Sequence, residues 1–377
     1  MITNRIRAFL ASQRLDGPCL VLDREVVREK YLSYARALPN TKIYYAVKAN
    51  PDPAILELLV ELGSCFDAAA IAEIGAVIAA GGTPENISYG NTIKKECDIA
   101  HAFALGVRLF AVDAVEEVDK LVRAAPGAKV FCRILCDGDG AEWPLSRKCG
   151  CDVNVAIEVL EHAHCSGLVA IGVSFHVGSQ QLNPEAWDPA LHATARIFRQ
   201  LGERGIDLKL VNLGGGFPAR YLKNVPTAAI YGEAITRALQ RHFGNCIPQT
   251  IIEPGRGLVG DAGVIKAEVV LVSRKSVEDP QRWVYLDLGK FGGLAETMNE
   301  SIRYPIRTAR DGDKTAPCVL AGPTCDSADV LYEKIPYDLP VSLAAGDEVM
   351  IEAAGAYTTT YSSVGFNGFP PLKSYIL

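Results

Sequence analysis

One lysine closes an otherwise apolar run in YYAVKAN, residues 44–50. At the end of a buried strand, the Lys48 amine loses solvation. That lowers its pKa toward the range in which the neutral form attacks a carbonyl. The plainer reading is a lysine that lays its stem on apolar surface and carries its charge out to water. Three glycine-containing stretches bear on the choice: HVGSQ (176–180), GGGFP (214–218) and EPGRG (253–257). Glycine lets backbone amides approach a phosphate closely, and oriented N–H groups bind a dianion. Glycines also make ordinary tight turns, so the weight lies in three such stretches rather than one. EPGRG adds a carboxylate, Glu253, to the end of a run reading TIIE, and His176 follows another apolar run. An acid so placed can keep a proton on a ring nitrogen, and an imidazole can lie flat against such a ring. A lone histidine there also serves as a hydrogen-bonded core residue.

These groups need a frame to bring them together. From about residue 42, eight β-rich runs alternate with segments whose apolar residues recur every three or four positions. The runs are 42–49, 64–69, 86–90, 108–113, 129–135, 169–178, 208–216 and 249–257. Eight strand–helix units predict a (β/α)8 barrel over residues 24–262. A six-stranded doubly wound sheet competes, but no GxGxxG follows the first strand. Lys48, Asp67, Arg133, His176, the glycines 214–216 and Glu253 each end a predicted strand. In a barrel those ends share one face, where chemistry sits. After residue 262 strand patterns follow one another without long helices, predicting an all-β domain. GPCLVLD (17–23) is also strand-like and precedes the first helix. Pairing it with the C-terminal sheet makes the β domain residues 1–23 and 263–377.

The 377 residues, 49% hydrophobic, are long enough for two domains. A net charge of −6 with scattered Lys and Arg gives no nucleic-acid footprint. Of eleven cysteines, Cys19, Cys132, Cys165, Cys246 and Cys318 have mostly apolar neighbours, reading as buried, reduced thiols of a cytoplasmic protein. Cys149 and Cys151 flank one glycine, without zinc spacing, and His162 and His164 fall on a helix pattern, so no metal is expected. The N-terminus reads as an amphipathic helix rather than a signal peptide, and no run is apolar enough to span a membrane.

The motifs YYAVKANPDP, GSCFDAAAIAEI, GVSFHVGSQ, NLGGGFP, EPGRGLVGDAG, GPTCDSADV and GAYTTTYSSVGFNGF follow one another through nearly the whole chain. In content and order the sequence resembles the fold-type III pyridoxal-phosphate (PLP) decarboxylases, and within them the ornithine decarboxylases. The resemblance implies a barrel with a β domain built from both chain ends, and a head-to-tail homodimer with active sites at the subunit interface. It makes Lys48 the lysine that carries the cofactor, with Asp67, Arg133 and Glu73 in the cofactor's neighbourhood. His176 stacks on the pyridine ring and Glu253 pairs with its nitrogen. Ser179, Gly214, Gly215, Gly216, Gly255, Arg256 and Tyr357 hold the phosphate. Cys325 and Asp326 reach into the partner's site, Cys325 as the acid that returns a proton to Cα and Asp326 as the group that binds the distal ammonium. The implied reaction is L-ornithine to putrescine, a step of polyamine biosynthesis.

Where the animal-type enzymes carry a Tyr-Asp pair for the substrate's distal amine, this chain has Asn299 and Glu300. The longer carboxylate leaves L-lysine, giving cadaverine, as a competing substrate. Diaminopimelate decarboxylases read CESGD where this chain reads CDSAD. A racemase of the same fold needs a tyrosine base on the opposite face. A catalytically silent regulatory homologue is the alternative of a different class, and the joint presence of Lys48, His176, Glu253 and Cys325 argues against it.

Overall fold

The computed structural model describes residues 2–143, 147–278 and 281–377, which divide into two compact units. Of the described residues, those within 28–218 and 225–257 form one, and those within 2–27, 219–224 and 258–377 the other.

The first unit is built on a closed parallel barrel of eight strands. In chain order they are Thr41–Ala46, Cys65–Ala68, Ile87–Tyr89, Leu109–Val112, Lys129–Arg133, Val169–Ser174, Leu210–Asn212 and Gln249–Ile252. Each coincides with one of the eight runs read from the sequence. The ring closes where Thr250, Ile251 and Ile252 pair with Thr41, Lys42 and Ile43. Sharp starts help set the helices between strands. Asp52 caps Pro53–Glu61 by accepting the Ala54 N–H, with proline in the first turn. Asp152 caps Val153–Cys165 by accepting the N–H groups of Asn154 and Val155.

The barrel's filling decides where the chemistry goes. Tyr44, Cys65, Phe131, Leu210 and Ile251, each from a different strand, pack into one apolar cluster. Side chains two apart on a strand share a face. Two residues beyond Cys65, Phe131, Leu210 and Ile251 stand Asp67, Arg133, Asn212 and Glu253. An apolar layer thus underlies a polar one, and the polar layer lies at the C-terminal ends of the strands.

The second unit is a mixed eight-stranded sheet. Cys19–Leu22 pairs antiparallel with Gly263–Ser273 and parallel with Lys373–Ile376, so the early strand joins the C-terminal sheet. Ala219 and Tyr221 pack into this unit's core. The N-terminal helix Asn4–Ser12 buries Ile6 beneath Cys19, Val21 and Val264. All eleven cysteines are free. Cys165 and Cys246, expected to be buried, are exposed. Cys165 ends its helix outside the buried stripe of Ala156, Val159, Leu160 and Ala163, and Cys246 lies in the turn beyond helix Ala228–Phe243. No helix among the described residues is long and apolar enough to cross a membrane.

Candidate active site

Two acids, two cations and an imidazole meet at the C-terminal ends of the barrel strands. Asp67 is buried and accepts a hydrogen bond from Ser88 Oγ at 3.2 Å. Burial pushes its pKa up, while Lys48, the Ser88 bond and Arg133 pull it back. Burial likewise drives Glu253 up to about 8; Asp67 adds to the rise, and Asn212, Lys48 and Arg133 oppose it. His176 is partly buried. Burial, Arg133 and Lys48 hold its imidazole well below the ordinary range, so it is neutral. Its Nδ1 accepts the Gly178 N–H at 3.0 Å, which puts the ring proton on Nε2. Glu73 Oε2 accepts the Ala69 N–H at 2.7 Å beside this group, and burial raises its pKa too.

Lys48 departs from expectation in one respect. It does not end the strand but sits in a single 3-10 turn, Val47–Ala49, and is exposed. Val47 and Ala49 fill the interior instead. Its place in the site comes from the electrostatic reach of its amine to Asp67 and Glu253, not from burial of its side chain.

The glycine run is sterically obligatory. A Cβ on Gly214 (φ +65°) would lie 1.9 Å from the Phe175 carbonyl oxygen. On Gly216 (φ +110°) it would lie 2.7 Å from the Gly178 oxygen, and on Gly215 it would lie 2.8 Å from the Glu253 oxygen and 3.2 Å from His176 Nε2. A bare backbone surface therefore runs between the imidazole and the Glu253 main chain. Gln181, fully buried, organises the next loop: its N–H donates to Gly216 O at 2.9 Å and its Nε2 to Val177 O at 2.8 Å. Ser179 opens the short strand Ser179–Gln181 in that loop. Gly255 and Arg256 are buried where the eighth strand turns into helix Arg256–Val259.

This set fits pyridoxal phosphate. A protonated ring nitrogen would give Glu253 the positive partner that burial makes valuable. The neutral imidazole offers a flat face, the glycines let a phosphate approach the backbone, and Lys48 supplies the amine.

The remaining sequence candidates belong to the β unit. Cys325 and Asp326 are exposed in one loop. That loop is anchored by the buried Asp329, which accepts the Lys290 N–H (2.7 Å), the Thr324 N–H (3.1 Å) and Thr324 Oγ1 (2.8 Å). Cys325 N and Sγ contact Asn367 Oδ1. Tyr357, partly buried, adopts φ +61°. Asn299 and Glu300 both have positive φ. The Glu300 carboxylate accepts the N–H groups of Glu333 (2.8 Å), Lys334 (2.6 Å) and Ile335 (3.1 Å) and pairs with Arg303 at 3.1 Å. Burial alone would raise its pKa, but these donors and Arg303 bring it below the ordinary value. Glu300, read from the sequence as an anchor for a substrate ammonium, has its oxygens engaged in bracing strand Val330–Pro340. Asn212, Gln181 and Asp329 escaped the sequence reading. The two-residue offset from Leu210 is the signal that could have found Asn212.

The family described as "Pyridoxal-dependent decarboxylase, pyridoxal binding domain" matches residues 24–260. The chain is 36% identical over 362 residues to the lysine/ornithine decarboxylase of Selenomonas ruminantium, covering 95% of this chain and 89% of that one. It is 31% identical to the ornithine decarboxylase of Schizosaccharomyces pombe, covering 96% and 84%. The crystal structure of the Vibrio vulnificus lysine/ornithine decarboxylase complexed with cadaverine superposes with a TM-score of 0.89 at 30% identity and full coverage of both chains. With a matched barrel, a closed eight-stranded sheet and a site that fits the cofactor, the chain belongs to the pyridoxal-dependent decarboxylases, with pyridoxal phosphate as its cofactor.

Proposed function

We propose that this enzyme decarboxylates a basic amino acid, L-ornithine to putrescine foremost and L-lysine to cadaverine as well, in the cytoplasm. The observation that carries the reading is the barrel-end group of Lys48, Asp67, Arg133, His176 and Glu253. The relatives named for lysine and ornithine support the substrate class.

Pyridoxal phosphate supplies an electron sink for the charge that departing CO2 leaves at Cα, provided its ring nitrogen stays protonated. Glu253 holds that proton, since its carboxylate is stabilised by a neighbouring cation and penalised without one. His176 backs the ring as a neutral imidazole, and Lys48 carries the cofactor. Asp67 and Arg133 line the ring's surroundings. Ser179, Gly214, Gly215, Gly216, Gly255, Arg256 and Tyr357 hold the phosphate. Cys325 of a second subunit returns a proton to the substrate's Cα. Asp326 of that subunit binds the distal ammonium as a charge-assisted pair. Exposure of Cys325 and Asp326 supports a homodimer with shared sites, because both side chains are available to another copy. The commitment of Glu300 to backbone amides supports Asp326, with Asn299 at most beside it, as the ammonium's partner.

The test is release of CO2 from ornithine, lysine, arginine and diaminopimelate by the PLP-loaded protein, with borohydride trapping of the cofactor. Ornithine and lysine should be turned over, and the trapped cofactor should lie on the Lys48 peptide. Turnover of diaminopimelate alone, or trapping at another lysine, ends the reading.

A further inference from the structure

Asn212 is wholly buried at the end of the seventh barrel strand, and its two amide atoms have different partners. The Gly214 N–H donates to Oδ1 at 2.9 Å. Only a carbonyl oxygen can accept that bond, so the amide's orientation is dictated by the backbone. Nδ2 is thereby turned toward Glu253 and donates to Oε1 at 2.5 Å. The Glu253 N–H in turn donates to the Gly214 oxygen at 2.8 Å. The three residues close a ring of hydrogen bonds, and Gly214 cannot be replaced in it, because a Cβ there would strike the Phe175 oxygen.

We propose that Asn212 is a positioning residue whose fixed N–H donor biases Glu253 toward its carboxylate form while tying it to the glycine turn. The proposal rests on the reading of Glu253 as partner of the ring nitrogen. A donor aimed at Oε1 binds an ionised carboxylate more strongly than the carbonyl oxygen of a protonated acid, so it favours ionisation. Other groups act on Glu253 from every side. Asp67, from the second strand, opposes ionisation, while Lys48 and Arg133 favour it. Tyr44 lies within its electrostatic reach, and Gly215 lies between the neutral His176 ring and the Glu253 main-chain oxygen. Among these, Asn212 is the neutral donor hydrogen-bonded to the carboxylate, and its direction is set by the chain rather than by pH.

Asn212→Asp separates the two bonds. A carboxylate of the same shape still accepts the Gly214 N–H but offers Glu253 no donor, so the two acids must share a proton. The apo-protein is titrated by infrared difference spectroscopy, reading the protonated-carboxyl stretch that Glu253→Gln removes. The midpoint should rise by about one pH unit or more in Asn212→Asp, the scale on which lost hydrogen bonds and like charges move a carboxyl. In the loaded enzyme the low-pH limb of kcat should move up in parallel. Asn212→Ser, which can accept from Gly214 but is too short to reach Glu253, should shift both in the same direction and covers the case in which Asn212→Asp does not fold. Unchanged midpoints in folded variants, with kcat lowered equally at all pH, would overturn the proposal and leave Asn212 a purely structural residue. The apo titration needs no turnover. If wild type decarboxylates nothing, the functional reading fails while the Asn212 result still stands or falls on its own.

Discussion

Replacing Glu253 by glutamine should have opposite effects on the empty and the loaded protein. In the apo-protein burial and Asp67 raise the acid to about 8, against an ordinary value of 4.5. A folded-state pKa above the unfolded one favours the protonated acid. Its contribution is therefore fully present below the unfolded value, declines as pH climbs through the interval, and is gone above about 8. At about 1.4 kcal/mol per pH unit, that interval is equivalent to about 5 kcal/mol. This is an upper bound, because a proton on Asp67 removes one of the causes. Glutamine keeps the shape and can still accept from Asn212 without carrying the charge. Apo Glu253→Gln should then match wild type near pH 4.5 and be more stable at pH 9 by roughly 2–5 kcal/mol. With cofactor bound the sign reverses. The ring nitrogen loses its anionic partner, and kcat should fall on the order of 100- to 1,000-fold, the scale for one preorganised electrostatic contact. The assay is guanidinium unfolding of cofactor-stripped proteins from pH 4.5 to 9, alongside kcat of the reconstituted pair. Equal stability at pH 9 would refute the claim that Glu253 is held at an electrostatic cost, and unchanged kcat would remove it from the mechanism.

Gly215→Ala places a methyl 2.8 Å from the Glu253 carbonyl oxygen and 3.2 Å from His176 Nε2, so one of them must move. Cofactor affinity, followed by fluorescence, should weaken at least about tenfold, or about 1.4 kcal/mol; wild-type affinity would mean the phosphate is held elsewhere. Lys48→Ala and Cys325→Ala should each be nearly inactive, and exchanging their subunits should restore about a quarter of wild-type activity if the residues act across a two-fold interface. No recovery after demonstrated exchange would place both in the same subunit's site. Asp326→Ala should cost about 3–5 kcal/mol in kcat/KM for ornithine and lysine, because the distal ammonium loses its partner. Glu300→Gln should instead lower Tm and leave the ornithine-to-lysine ratio within about threefold, less than one methylene of pocket fit is worth. A larger change would return Glu300 to the substrate.

Much of this protein is written in local pattern. Eight apolar runs separated by helical periodicity specify the barrel, since a strand buried on both faces and a helix buried on one leave different repeats in the chain. Asp67, Arg133, His176 and Glu253 are legible because a polar group ending an apolar run needs a reason to be there, and the glycines because three in succession forgo side chains together. Sequence could not reach the residues whose roles depend on a distant partner. Asn212 before glycines reads as an ordinary turn former, and becomes an orienting amide only when the fold brings in Glu253 from 41 positions away. Glu300 looks like a free carboxylate until strand Val330–Pro340 arrives with three amides from 33 to 35 residues on. Lys48 acts electrostatically on Asp67 and Glu253, yet its exposure in a single 3-10 turn could not be read from its motif. Residue type and spacing record which groups are available and which face they occupy. Hydrogen-bond direction and charge state depend on neighbours in space, and the tertiary structure alone supplies those neighbours.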